Sequence, residues 1–191
     1  MIEKLYLGLI LVLFILAFAI RNIKTYITTK KSIKGKSLKL TLSIFLSIVI
    51  YNLIFFRILV IPPEYFFEFD ILPNFVKIVG HALVFIGFVI GILALVTIRN
   101  SWRVGIKYDQ KTQLVNTGIY RLSRNPYFLS CDILIFGYVL IFPSLILLLL
   151  LIALALLFHY LILEEERYLL LVHGVKYEQY KAKVNRYFTL I

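Results

Sequence analysis

The sequence predicts an all-α fold: a polytopic membrane bundle of five transmembrane helices with a cytoplasmic C-terminal interfacial helix. Three observations predict it. The 191 residues are 61% hydrophobic, with a mean hydropathy of +0.92, which is more apolar surface than a soluble core of this size buries. Four apolar stretches, at about 5–20, 40–61, 75–98 and 128–163, approach or exceed the roughly 20 residues that cross a bilayer. Finally, 18 of the 21 basic side chains fall in the segments 21–39, 99–127 and 164–191. The net charge of +11 is therefore a topology signal rather than a nucleic-acid-binding surface.

The first span, 5–20, resembles a signal peptide in that Lys4 precedes it and Ala17-Phe18-Ala19 resembles a cleavage site. The block Arg21, Lys24, Lys30, Lys31, Lys34, Lys36 and Lys39 follows at once and resists translocation, so the span is expected to be retained. In the second span, 40–61, Arg57 stands five residues before Pro62 and is expected to extend its guanidinium to the outer interface. The third, 75–98, opens with Lys77 and His81, which read the same way. The fourth stretch has about 36 residues, and at 1.5 Å per residue it would reach roughly 54 Å as one helix. Pro143 and Ser144 divide it into a hairpin of 128–142 and 144–163.

The loop Pro62–Pro73 carries Glu64, Glu68 and Asp70 without Lys or Arg. The positive-inside rule then puts the N-terminus outside and the C-terminus in the cytoplasm, and five spans satisfy that parity. The split hairpin brings loop 99–127 and the tail to one face. The tail from Glu164 to Lys183, with Gly174 as its only interruption, reads as an interfacial helix. One membrane domain is expected over 1–191, with a site region at about 99–128 and 164–188.

Candidate chemistry is concentrated in the loop. Asn100-Ser101-Trp102-Arg103-Val104-Gly105, Leu114 to Arg121 and Ser123-Arg124-Asn125-Pro126-Tyr127 are rich in donors, aromatics and turn residues. Gly118 permits a tight turn after Thr117, and Pro126 suits the first turn of the next helix. Arg124 and Asn125 would then stand at a helix N-terminus, where free N–H groups and the dipole favour an anion. Arg103, Lys107, Lys111 and Arg121 also read as topology determinants or anionic-lipid contacts, and Trp102, Tyr120 and Tyr127 as an interfacial aromatic belt. Cys131, the single cysteine, excludes an intramolecular disulfide and reads as a buried thiol. His159 and His173 are lone histidines, no zinc-type cluster is present and no metal is expected. A Gly-x-Gly-x-x-Gly turn of the soluble dinucleotide fold is also missing.

Gly118-Ile119-Tyr120-Arg121, then Arg124-Asn125-Pro126, then Glu165-Glu166-Arg167-Tyr168-Leu169 and Gly174-x-x-Tyr177-x-x-Tyr180 after a hairpin resemble the isoprenylcysteine carboxyl methyltransferases and their phospholipid N-methyltransferase relatives. The likeness spans roughly 95–188 and includes Asn100-x-Trp102. It implies a membrane-embedded site for S-adenosylmethionine (SAM), lined by Tyr120, Arg124, Asn125, Pro126 and Tyr127 and reached by Glu165 or Glu166. Arg124, Glu165 and Glu166 become the candidate catalytic residues, and Trp102 and Arg103 the candidate contacts of the acceptor. Neighbouring helical residues point about 100° apart, so one of the two glutamates is expected to face the site, with Glu165 preferred. Where the family pattern reads Arg-His-Pro-x-Tyr, this chain has Asn125 for the histidine and Phe128 for the tyrosine, with Tyr127 one place earlier. Asn125 donates a hydrogen bond but carries no charge. Ser130 stands for a common glycine.

The implied reaction is methyl transfer to a lipid-like or prenylated acceptor, on a carboxylate or on an amine head group. Two other readings are compatible with parts of the sequence. Membrane sterol reductases, which use NADPH, share an Arg-x-Pro-x-Tyr helix opening; a small transporter or assembly factor would use the basic loops only to bind anionic lipid.

Overall fold

The computed structural model describes residues 2–30, 35, 37–69, 72–106 and 113–189. Lys31, Lys34, Lys36, Asp70, Lys107 and Lys111, counted above in the charge pattern, lie outside the described residues. The helices are α1 (Ile2–Thr29), α2 (Leu38–Leu59), α3 (Asn74–Ile98), α4 (Pro126–Ile141), α5 (Leu145–His173) and α6 (Val175–Lys183), and three short 3₁₀ turns complete the element order. Among the described residues four helices, α1, α2, α3 with its following turn, and α5, are long and apolar enough to cross a bilayer, whereas α4 is a shorter apolar helix of 16 residues.

The hairpin divides where the sequence places it. Pro143 disfavours helical backbone at Phe142, which ends α4, and α5 begins after Ser144. The tail departs from the sequence expectation. No interfacial helix begins at Glu164: α5 continues unbroken to His173 and stops at Gly174, whose φ of 51° favours glycine. Glu164 to His173 are mostly good helix formers, and extending an existing helix is cheaper than nucleating another. Only Val175–Lys183 form a separate segment.

Close backbone contact sets the seam between α3 and α4. A Cβ on Gly137 would lie 2.7 Å from the Gly80 carbonyl, and one on Gly87 would lie 2.7 Å from the Leu134 nitrogen. Small residues let the two backbones approach to a distance that larger side chains forbid. Arg21, buried in α1, donates from Nε to the Leu95 carbonyl at 2.8 Å and so satisfies one of the open carbonyls at the C-terminal end of α3.

Two sets of loops define the ends of the bundle. At one end, the Phe69 N–H donates to the Pro143 carbonyl at 2.8 Å and the Ser144 hydroxyl to the Phe66 carbonyl at 2.6 Å, while Glu3 approaches His81 at 3.2 Å. Arg57 does not reach outward to an interface as expected. It is buried, forks onto both carboxylate oxygens of Glu68 and lies over the Phe142 ring. The acidic loop after α2 folds back over the helix end, and this partner offsets the desolvation of the guanidinium. At the other, basic end, Gly35 N–H donates to the Val104 carbonyl at 2.8 Å and Lys39 pairs with Glu164. The loop after α3, the last turns of α5, α6 and the chain after it converge there.

Candidate functional site

A cavity of about 310 Å³ opens at the basic end, within the size range of small-molecule sites. Its wall has two parts of different chemistry. The polar part carries Tyr120, Arg124, Asn125 and Pro126 from the turn into α4, Ser101 and Arg103 from the loop after α3, and Glu165 from α5. The apolar part runs between α1, with Phe14, Ile15 and Phe18, and α2, with Ile44 and Ile48, and continues to Phe158 and Leu161 on α5. Ser43 and Ser47 stand on the same face of α2, with their hydroxyls bonded to the Leu40 and Ser43 carbonyls, so they supply space rather than polarity.

Local rules position the polar part. Gly118 adopts a φ of 56°, and a Cβ there would meet the Thr97 side chain at 3.1 Å. The tight turn delivers Tyr120, whose carbonyl accepts the Tyr180 hydroxyl at 2.6 Å. Burial pushes the Tyr120 hydroxyl well above the usual phenol range, and Glu165 and Tyr180 push it further, so it stays protonated. Pro126 begins α4 after Asn125, whose side chain does not cap the helix. The first-turn N–H groups of α4 are therefore left without a side-chain cap, at the positive end of the dipole and beside Arg124.

Arg124 is 7% exposed at its side chain, and its guanidinium is only partly engaged. Nη2 lies 3.1 Å from Glu166 Oε1, Nη1 donates to the Tyr177 hydroxyl at 3.3 Å, and Nε has no hydrogen-bond partner among the described residues. The Tyr177 hydroxyl is pushed up to about 12, by burial first and by Glu166 next, against a lowering by Arg124. It is neutral at physiological pH and accepts from the guanidinium without cancelling its charge. Glu166 is also held by Arg186, whose Nε and Nη2 donate to its two oxygens at 3.0 and 2.9 Å. The two glutamates thus separate as helical spacing requires: Glu165 faces the cavity and Glu166 turns into an ion-pair cluster beside it.

Trp102 and Tyr127 pack edge to face with centroids 5.0 Å apart, and Phe18 stacks on Tyr127 at 5.8 Å. The Trp102 indole N–H donates to Asn22 Oδ1 of α1 at 2.7 Å, which fixes the ring against the cavity. Arg103 lines the same cavity, and its Nη1 donates to the Asn100 and Trp102 carbonyls at 3.1 and 2.6 Å. Of the candidate catalytic residues and the candidate contacts of cofactor and acceptor, Glu166 alone lies outside the cavity wall.

Several contacts escape sequence reading. Ser123 donates from its hydroxyl to the Arg186 carbonyl at 3.3 Å and accepts the Asn125 N–H at 3.1 Å, and Arg186 itself lies 20 residues beyond Glu166. No periodicity predicts such contacts. Asp132, inside the fourth apolar stretch, did carry a signal, since a carboxylate there stands out by composition. Its Oδ1 is buried without a partner among the described residues, and it is not part of the cavity wall.

Among known protein families, the phospholipid methyltransferases match residues 75–175, more than half of the chain. The chain belongs to the phospholipid methyltransferase family. The matched region contains α3 from its second residue, the loop with Trp102 and Arg103, α4 and all of α5 with both glutamates. Comparison with curated proteins gives no match. Family membership and the four long apolar helices make this an integral membrane protein, and membership implies methyltransferase activity. That runs against the reductase reading.

Proposed function

We propose that this chain transfers a methyl group from SAM to a lipid-like or prenylated acceptor at the cytoplasmic face of the membrane. The supporting observation is that one cavity joins an anion-favouring end, made by Arg124 and the α4 N-terminus, and a carboxylate, Glu165, to an apolar slot between α1 and α2. The donor set fits SAM group by group. Arg124 and the open N–H groups of α4 suit its carboxylate, Glu165 suits its ammonium or ribose hydroxyls, and Trp102 and Tyr127 offer aromatic surface to the adenine. Asn125 and Pro126 shape the same wall. When bound, SAM supplies a methyl group on a sulfonium, whose departure leaves a neutral thioether.

The protein's task is then alignment and exclusion of water. A carboxylate acceptor arrives as a nucleophile and needs no base. An amine head group must release a proton, and Glu165 is the group in the cavity wall able to take it. The apolar slot suits an acceptor with a hydrocarbon or prenyl chain that enters laterally, between Ile15 of α1 and Ile48 of α2, both of which are also exposed on the outer face of the bundle. On this reading α4 is a short fifth crossing, 1–191 acts as one domain and α6 lies at the interface; the charge bias of the loops supports a cytoplasmic basic end and an outside N-terminus.

Incubation of membranes containing the protein with methyl-tritiated SAM, followed by lipid extraction and thin-layer separation, tests the acceptor class. Label in a lipid band, absent with Arg124→Ala, is the expected result. Label confined to water-soluble products would overturn the lipid acceptor.

A further inference from the structure

The chain after α6 is built into the cavity's supporting wall. The Arg124 N–H donates to the Asn185 carbonyl at 3.1 Å, the Thr189 N–H to the Leu122 carbonyl at 2.8 Å, and Asn125 Nδ2 to the Arg186 carbonyl at 3.2 Å. Through these bonds residues 185–189 hold the Leu122–Asn125 turn in place. The Arg186 side chain adds a second effect, because it occupies both oxygens of Glu166 in fork geometry.

Two consequences follow for Arg124. Arg124 and Glu166 alone sum to zero charge; with Arg186 the trio carries one positive charge. Geometry matters as much. An unrestrained Glu166 would satisfy Arg124 by a bidentate fork, which is the favoured arrangement of a guanidinium and a carboxylate. Held by Arg186, Glu166 meets Arg124 through Nη2 at 3.1 Å and leaves Nε without a partner among the described residues. A buried donor left without a partner is costly, and the guanidinium that carries it belongs to a residue lining the cavity.

On the reading of this cavity as the SAM site, we infer that Arg186 is a positioning residue: it holds Glu166 away from a bidentate pairing with Arg124 and so keeps Arg124 available to the carboxylate of SAM. Arg186 does not itself line the cavity.

The test measures binding of SAM and of decarboxylated SAM by calorimetry to the full chain in nanodiscs, with thermal unfolding as a check on folding. Wild type is compared with Arg186→Ala, Arg186→Lys and the double variant Arg186→Ala with Glu166→Gln. Arg186→Ala is expected to weaken SAM by about tenfold or more, which is roughly 1.4 kcal/mol, and decarboxylated SAM by less than about twofold. Arg186→Lys keeps the charge but not the fork and is expected to fall between wild type and Arg186→Ala. Adding Glu166→Gln to Arg186→Ala is expected to recover most of the loss, because a neutral amide no longer captures Arg124. Equal weakening of both ligands, or unchanged SAM binding in a folded Arg186→Ala protein, would overturn the positioning role. If Arg186→Ala does not fold, the double variant and Arg186→Lys decide by the same ratio of the two ligands. Failure of wild type to bind either ligand would instead remove the cofactor reading on which the role depends.

Discussion

Arg124 and Glu165 meet one cavity from different elements, yet they do not pair with each other: Arg124 is drawn to Glu166, one residue further along α5. That one-residue offset leaves Glu165 available to a substrate. Glu165→Gln, nearly isosteric but unable to accept a proton, is expected to slow methylation of an amine acceptor by about 10²-fold or more. For a carboxylate acceptor the loss should follow only the change in SAM affinity, so kcat measured at saturating SAM separates the two acceptor classes. The cavity residues Arg124, Asn125, Pro126 and Glu165 were legible in the sequence because proline, the N-cap position and helical spacing fix them locally. The bonds of Arg186 and Ser123 were not, since they join positions 20 and 63 residues apart and depend on how the tail returns to the loop. Arg57 shows the converse: its distance from Pro62 pointed to an interface, but the loop after it supplies Glu68 and makes burial possible.

At the scale of elements, the hairpin break at Pro143 was legible because proline acts on its own neighbours, while the extent of α5 was not, because a change from apolar to charged composition does not stop a helix. That continuity has a consequence for the site, since Glu165 is carried on a helix continuous with the membrane-crossing run rather than on a loosely attached surface segment. The α3–α4 seam ties the same helix pair to the loop that holds Trp102 and Arg124. Gly137→Leu would drive a side chain into the Gly80 carbonyl and the Val84 nitrogen, each 2.7 Å from the Cβ alone. Overpacking of a close seam typically costs about 1–3 kcal/mol, so a clear drop in thermal midpoint in detergent is expected. Gly8→Leu, where the nearest atom to a Cβ is the Ile58 side chain at 3.8 Å, is expected to cost less. Equal losses at both positions would contradict close backbone contact as the basis of the seam.

For the whole molecule, the alternation of helices between two ends follows from bonds at each: the loop after α2 meets the α4–α5 turn at one, and the loop after α3 meets the tail at the other. The fold class and the convergence of loop and tail were visible in hydropathy and charge because both are long-range averages, and the short α4, with 16 residues, was visible in the proline that divides the fourth apolar stretch. Orientation is open to direct measurement, because the only native cysteine, Cys131, is buried. On intact cells an impermeant maleimide is expected to label Tyr65→Cys, and to label Gln179→Cys only after permeabilisation; the reverse pattern would invert the topology. The most direct test of the central claim is calorimetric titration of SAM into the purified chain in nanodiscs, for wild type and Arg124→Ala. Saturable binding by wild type, weakened about tenfold or more in a folded Arg124→Ala protein, is the predicted result; no binding by stable wild type, or equal binding by both, would contradict it.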